Sequence, residues 1–404
     1  MMNKIKWVSN KLPKTDNTML NIMSPEKIAK AASFHKSFPE YTKTPLAKLD
    51  NMANFLGLKN LYIKDESFRF GLNAFKVLGG SFAIGCYISK KLGKDISQLP
   101  YNTITSKEVL KNFGQTTFFT ATDGNHGRGL AWAANRLNQK CVVFMPKGSS
   151  EIRLKNIQKE NAIATIEEVN YDECVRIAMA ESAKVPGSVV IQDTAWEGYE
   201  EIPTWIMQGY GTMAMEANEQ LHDNNCDAPT HIFIQAGVGS LAGAVQGYFA
   251  NVYPNNPPIV TVVEPNKADC IFRSATAKDG DIRIVTDDMQ TIMAGLACGE
   301  PNTIAWDILK NNSSFFVSCP DNISAKGMRT YAVPLKGDPK VISGESGAVT
   351  MGVLFEIMKN DELKDLKEAL KLDENSKVLL FSTEGNTDPD FFREIVWNGD
   401  YSSL

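Results

Sequence analysis

Lys76 stands in Phe68-Arg-Phe-Gly-Leu-Asn-Ala-Phe-Lys-Val-Leu-Gly-Gly80, flanked directly by Phe75, Val77 and Leu78. Apolar surroundings disfavour an ammonium group, and a neutral amine can form a Schiff base with an aldehyde. Gly79 and Gly80 permit close approach of another backbone, and Ser81-Phe-Ala-Ile-Gly-Cys-Tyr-Ile continues with helical apolar spacing. Lysines on helices more commonly snorkel to solvent, so other stretches must decide between the two readings.

Three loops after apolar strands carry further chemistry, and in open parallel sheets ligands sit at the carboxyl ends of strands. In Ala236-Gly-Val-Gly-Ser-Leu-Ala-Gly243 the backbone N–H groups can cradle a phosphate at a helix N-terminus. With Glu264 ending the next strand, the loop also resembles a dinucleotide-binding turn, though its spacing is Gly-x-Gly-x-x-x-Gly rather than Gly-x-Gly-x-x-Gly. A turn without ligand is the third reading.

In Thr120-Ala-Thr-Asp-Gly-Asn-His-Gly-Arg-Gly129, Asn125 can bond a ligand hydroxyl, the turn's N–H groups can take a carboxylate, and Asp123 can exchange a proton. Thr122 or Asp123 can equally be a plain helix cap. In Phe381-Ser-Thr-Glu-Gly-Asn-Thr-Asp388, a hydroxyl at Ser382 or Thr383 suits a neutral ring nitrogen, where a carboxylate would favour the protonated ring.

The elements that must position these loops alternate. A helix near 46–56 and a strand over 60–64 precede Lys76, and the polar segment 90–115 carries no identifiable chemistry. Strands over 118–122, 141–145 and 188–192 then alternate with helices over 127–137, 152–160 and 171–184. A long helix around 204–221 opens a second series, with strands over 231–235, 259–264 and 377–382. This pattern predicts two α/β domains with parallel sheets covered on both faces, joined near residue 206.

The chain has 404 residues and a net charge of −5, which selects against a nucleic-acid surface or a polybasic membrane surface. The N-terminal stretch lacks the apolar core of a signal peptide, and no run has the length of a membrane span, so the expectation is a cytoplasmic protein. Seven scattered cysteines suit reduced thiols, and four histidines without paired spacing predict no metal site.

Taken together and in order, Asn-Ala-Phe-Lys76, Asp123-Gly-Asn-His-Gly, the glycine loop and Ser382-Thr-Glu-Gly-Asn resemble the fold-type II pyridoxal-phosphate enzymes, the tryptophan synthase β-like superfamily. The resemblance implies two open twisted-sheet domains with the active site in the cleft between them. It assigns 1–88 and 207–404 to a large cofactor-binding domain and 89–206 to a small one. It makes Lys76 the Schiff-base lysine and gives the phosphate to Gly237, Val238, Gly239, Ser240 and Leu241. Asn125 contacts the pyridine hydroxyl, and Thr383, or in second place Ser382, the ring nitrogen. The turn Thr122, Asp123, Gly124 and His126 meets an amino-acid substrate, and a homodimer is the family expectation.

One departure is informative. Where dehydratase-like and racemase-like members carry Ser or Ala before Gly-Asn-His, this chain has Asp123, which suggests a stronger base for a D-configured α-proton. Longer strings, including Gln192-Asp-Thr-Ala-Trp-Glu-Gly-Tyr and Ile202-Pro-Thr-Trp-Ile-Met-Gln-Gly-Tyr, resemble the branch that eliminates ammonia from 2,3-diaminopropionate. That branch yields pyruvate and two ammonia. Lys76 is then the base for the L-isomer and Asp123 for the D-isomer. Asp193 is the carboxylate facing the β-ammonium, with Glu345 as second choice; a helix cap before Trp196 is Asp193's structural alternative. A serine or threonine dehydratase of the same fold, an NAD-dependent dehydrogenase and a non-catalytic amino-acid binder are the competing functions.

Overall fold

Two sheets organise the chain, which a computed structural model describes over residues 4–122 and 124–402. The first has seven strands in the order β1-β10-β9-β8-β11-β3-β2: Lys6–Ser9 (β1), Leu46–Lys48 (β2), Asn60–Asp65 (β3), His231–Gln235 (β8), Ile259–Pro265 (β9), Phe315–Cys319 (β10) and Lys377–Ser382 (β11). The second has four, in the order β6-β5-β4-β7: Thr117–Ala121 (β4), Lys140–Met145 (β5), Ile163–Ile166 (β6) and Val189–Val190 (β7). Pairing within the second sheet is parallel throughout. In the first, only the edge strands β1 and β2 run antiparallel.

The physical basis is visible in burial. Every residue of β8 and β10 is buried. Such strands carry no polar alternation because helices cover both faces of a parallel sheet. Compactness divides the chain into unit 1 (Met1–Ser24, Thr44–Phe68, Met213–Leu404), which holds the seven-stranded sheet, and unit 2 (Pro25–Lys43, Arg69–Thr212), which holds the four-stranded one. These units follow packing alone; the expected division at 88/89 and 206/207 comes from the family resemblance.

One expectation is corrected. The helix expected over 46–56 is a strand and then a shorter helix. Leu46–Lys48 pairs with Tyr62–Lys64, and only Asp50–Leu56 is helical, ending at Gly57 in the left-handed conformation (φ 76°). Edge pairing there overrides local helical propensity. The polar segment 90–115 contains three short helical pieces, at Ile96–Gln98, Tyr101–Ile104 and Lys107–Phe113. Asp95 and Ser106 cap two of them through side-chain oxygens, a local signal that apolar periodicity does not register.

Lys64 of β3 is fully buried and forms an ion pair with Glu216 at 2.8 Å, while its Nζ also donates to Thr44 O at 2.7 Å and Gln220 Oε1 at 2.8 Å. Multiple acceptors are what allow an ammonium to remain in an apolar interior. All seven cysteines are free thiols. Among the described residues no helix is long and apolar enough to cross a membrane.

Candidate active site

In unit 2, Lys76 occupies the N-cap position of the helix Val77–Lys91. Two neighbouring helices press on it. A Cβ on Gly129, in the helix Asn125–Arg136, would lie 2.6 Å from Val77 N and 3.1 Å from Lys76 C. A Cβ on Gly209 would lie 2.3 Å from Leu78 O, and one on Gly79 would meet Tyr210 and Ile206 at 2.6 Å. Backbone contact at this range needs glycine and fixes the lysine's starting point. Gly129→Ala is therefore expected to cost about 1–3 kcal/mol through overpacking, read as an earlier urea midpoint. An unchanged midpoint would mean the helices separate freely.

The Lys76 ammonium meets Asp193 Oδ2 at 2.9 Å, with side-chain exposures of 16% and 7%. Burial alone would raise the Asp193 carboxyl, but Lys76 and then His126 outweigh it and hold the group at about 2. Tyr210, whose ring lies 4.7 Å from that of Phe75 at a tilt of 54°, brings its hydroxyl to 3.5 Å from the same Oδ2. Burial, and next the Asp193 charge, push that hydroxyl's pKa well above its usual value. No helix begins beside Asp193; the next one starts at Glu201, so the capping alternative fails.

His126 is buried in the first turn of its helix, and its Nε2 lies 3.1 Å from Ile191 O. A carbonyl only accepts, so Nε2 carries a proton. Asn125 opens this helix, with Gly124 at its N-cap position. Thr122 Oγ1 accepts from Gly124 N–H at 2.9 Å, and Thr122 N–H donates to Phe144 O at 3.0 Å. Asp123 lies outside the described residues.

In unit 1, Gly237, Val238 and Gly239 link β8 to the helix Ser240–Val252, with Gly239 left-handed at φ 99°. The first-turn N–H groups of a helix lack carbonyl partners within it, which suits an anion. A Cβ on Gly237 would reach Leu296 Cα and Cys298 Sγ at 3.2 Å, and one on Gly239 would reach Ile271 at 2.9 Å. Asn302 steadies this cradle: its N–H donates to Val238 O at 2.7 Å and its Nδ2 to Ser240 Oγ at 2.8 Å. Its Oδ1 meanwhile caps Thr303–Asn312 through Ile304 N–H and Ala305 N–H. Sequence reasoning passed over Asn302; an asparagine opening a helix was the available signal.

At the end of β11, Gln235 Nε2 donates to Thr383 Oγ1 at 2.8 Å. The Thr383 oxygen thus serves as acceptor, and its own proton is directed elsewhere. Ser382 Oγ is buried with no hydrogen-bond partner among the described residues. Two hydroxyls and no carboxylate at these two positions fit a neutral pyridine nitrogen, and the Gly237–Leu241 loop fits a phosphate. The residues present thus match pyridoxal phosphate.

Glu345 is buried at the start of the helix Glu345–Lys359, whose Ser346 N–H donates to Glu384 Oε1 at 3.1 Å. Glu264 accepts from the N–H groups of Ile271 at 2.9 Å and Phe272 at 2.6 Å, and is fully buried. A carboxylate spent on capping a helix cannot read a ribose, which removes the dinucleotide reading of the glycine loop.

The family model for pyridoxal-phosphate dependent enzymes matches residues 38–383. The chain is 54% identical over 368 residues to the diaminopropionate ammonia-lyase of Salmonella typhimurium, covering 91% of each chain. It is similar to the crystal structure of holo diaminopropionate ammonia-lyase from Escherichia coli, with a TM-score of 0.91 and 45% identity over 100% of this chain and 99% of that one. It superposes equally, with a TM-score of 0.91 and 45% identity over 99% and 98% of the two chains, on the Escherichia coli enzyme in complex with D-serine.

Proposed function

The chain belongs to the pyridoxal-phosphate dependent enzyme family, and from that premise we propose that it eliminates ammonia from D- and L-2,3-diaminopropionate, yielding pyruvate and two ammonia. The observation that carries this reading is the buried Asp193 carboxylate held ionised beside Lys76. A dehydratase expels a hydroxyl, whereas a β-ammonium substrate gains from a buried anion. The 54% identical relative is itself a diaminopropionate ammonia-lyase.

When bound, pyridoxal phosphate supplies the electron sink for the α-carbon. The chain's own groups do the rest. Gly237 through Leu241 would hold the phosphate on main-chain N–H groups, Asn125 would bond the ring hydroxyl, and Thr383, with Ser382 as its alternate, would face the ring nitrogen. The turn built from Thr122, Gly124 and His126 orients the substrate carboxylate. Lys76 Nζ would hold the cofactor aldehyde and serve as the base for the α-proton of the L-isomer, and Asp123 would serve as the base for that of the D-isomer. Asp193 draws in the β-ammonium, with Glu345 the second candidate. By residue role, 1–88 with 207–404 form the cofactor-binding domain and 89–206 the small domain. We place the enzyme in the cytoplasm as a homodimer, acting on a free amino acid.

A pyruvate-release assay on D- and L-diaminopropionate against D- and L-serine tests the function. Both diaminopropionate isomers should be the preferred substrates; preference for serine would make the chain a dehydratase. Asp193→Asn should lower kcat/KM on diaminopropionate by about 100-fold while changing serine turnover by less than about threefold. An unchanged preference removes Asp193 from leaving-group recognition.

A further inference from the structure

Strand β7 holds only Val189 and Val190 against Phe118 and Phe119 of β4, and the last main-chain bond of the pair runs from Ile191 N–H to Phe119 O at 2.8 Å. One residue on, the main chain leaves the sheet and a side chain takes its place. Gln192 is 0% exposed. Its Oε1 accepts from Ala121 N–H at 3.2 Å and its Nε2 donates to Ala121 O at 3.2 Å, so both main-chain groups of β4's last residue are satisfied by one side-chain amide. Because a main-chain N–H only donates and a C=O only accepts, this pairing fixes which way the amide faces.

The same amide accepts from Thr120 Oγ1 at 2.9 Å and donates to Tyr171 Oη. The Gln192 N–H, released from the ladder, donates to Tyr199 Oη at 2.9 Å, and that hydroxyl donates to Val190 O at 2.9 Å. The sheet edge is thereby closed without a further strand residue. The main chain is free to turn, and the next side chain is Asp193, 2.9 Å from Lys76.

We propose that Gln192 is a positioning residue: its side-chain amide replaces the missing rung beside Ala121 and so sets the turn that presents the Asp193 carboxylate to Lys76. The consequence for selectivity rests on the leaving-group role given to Asp193 above. Displacing a reacting group by about 1 Å can cost about 100-fold in rate. Gln192→Met keeps the side chain's length and removes both ends of the amide.

The test uses holoenzyme of Q192M, Tyr199→Phe and D193N, with L-diaminopropionate and L-serine as substrates and a crystal structure of Q192M. Q192M should lose about 10–100-fold in kcat/KM on L-diaminopropionate, chiefly in kcat, and less than about threefold on L-serine, with the Asp193 carboxylate displaced by about 1 Å. A carboxylate left in place overturns the proposal, and so do equal losses on both substrates where D193N itself shifts the preference. If D193N leaves the preference unchanged while Q192M moves the carboxylate, the leaving-group reading fails and the positioning role stands. Should Q192M not fold, Tyr199→Phe, which deletes one hydroxyl, carries the test. It should shift the same preference by about threefold to tenfold, and no shift overturns the proposal.

Discussion

Lys76→Ala should reduce turnover on every substrate by at least about 1,000-fold, because it removes at once the amine that holds the cofactor aldehyde and the base for the L-isomer. The visible absorbance band of the holoenzyme should disappear. In the parent enzyme borohydride should bleach that band and leave the cofactor attached to the peptide containing Lys76; in the variant no peptide should be labelled. Residual turnover within about tenfold of the parent would show that another amine serves. The substitution also has a signature in the apoenzyme. Asp193, at about 2 rather than its ordinary 3.8, is depressed in the fold, so it contributes stability that is fully present above the unfolded value and is lost as pH falls through the folded one. Between about pH 4 and pH 2 the parent apoprotein should lose stability more steeply than Lys76→Ala, in which the burial of Asp193 is no longer offset by the ammonium.

Asp123→Asn should cut D-diaminopropionate turnover by about 100-fold to 10,000-fold and alter L-isomer turnover by only a fewfold. The reason is stereochemical. Enantiomers anchored by the same carboxylate and amine present their α-protons on opposite faces, so one lysine cannot reach both. Asparagine keeps the size and polarity of aspartate but cannot accept the proton. The flanking chain is well anchored: Gln192 holds Thr120 and Ala121, Thr122 bonds Phe144 O, and Asn125 opens a helix. Proportional losses on both isomers would sink the assignment of faces, and so would an unaffected D-rate. Thermal unfolding of the variant serves as the control for folding.

Much of the site was legible because it is written in short stretches. A glycine loop after an all-apolar strand, a lysine at the head of a glycine-bearing helix and hydroxyls after the last strand are local patterns, and each lies in the structure where its pattern puts it. The correction at Leu46–Lys48 came from pairing with a strand some sixteen residues away, information that local propensity lacks. Asn302 is of the same kind, since its bonds to Val238 and Ser240 cross 64 and 62 positions of sequence (302 − 238 and 302 − 240).

By itself, the sequence determined the chemical groups available to this protein: an amine in apolar surroundings, a glycine loop at a helix N-terminus, hydroxyls at the end of the last strand and several acids, because turn and helix-terminus geometry depend on residues a few positions apart. The tertiary structure alone decided which groups act on one another. Lys76 and Asp193 are 117 residues apart and meet at 2.9 Å only because Gly129, Gly79 and Gly209 let helices close around the lysine. The Gln192 amide then completes a strand that the main chain leaves. An ion pair in a buried site is set by packing and by the loss of water around it, and neither is encoded in the spacing of residues along the chain.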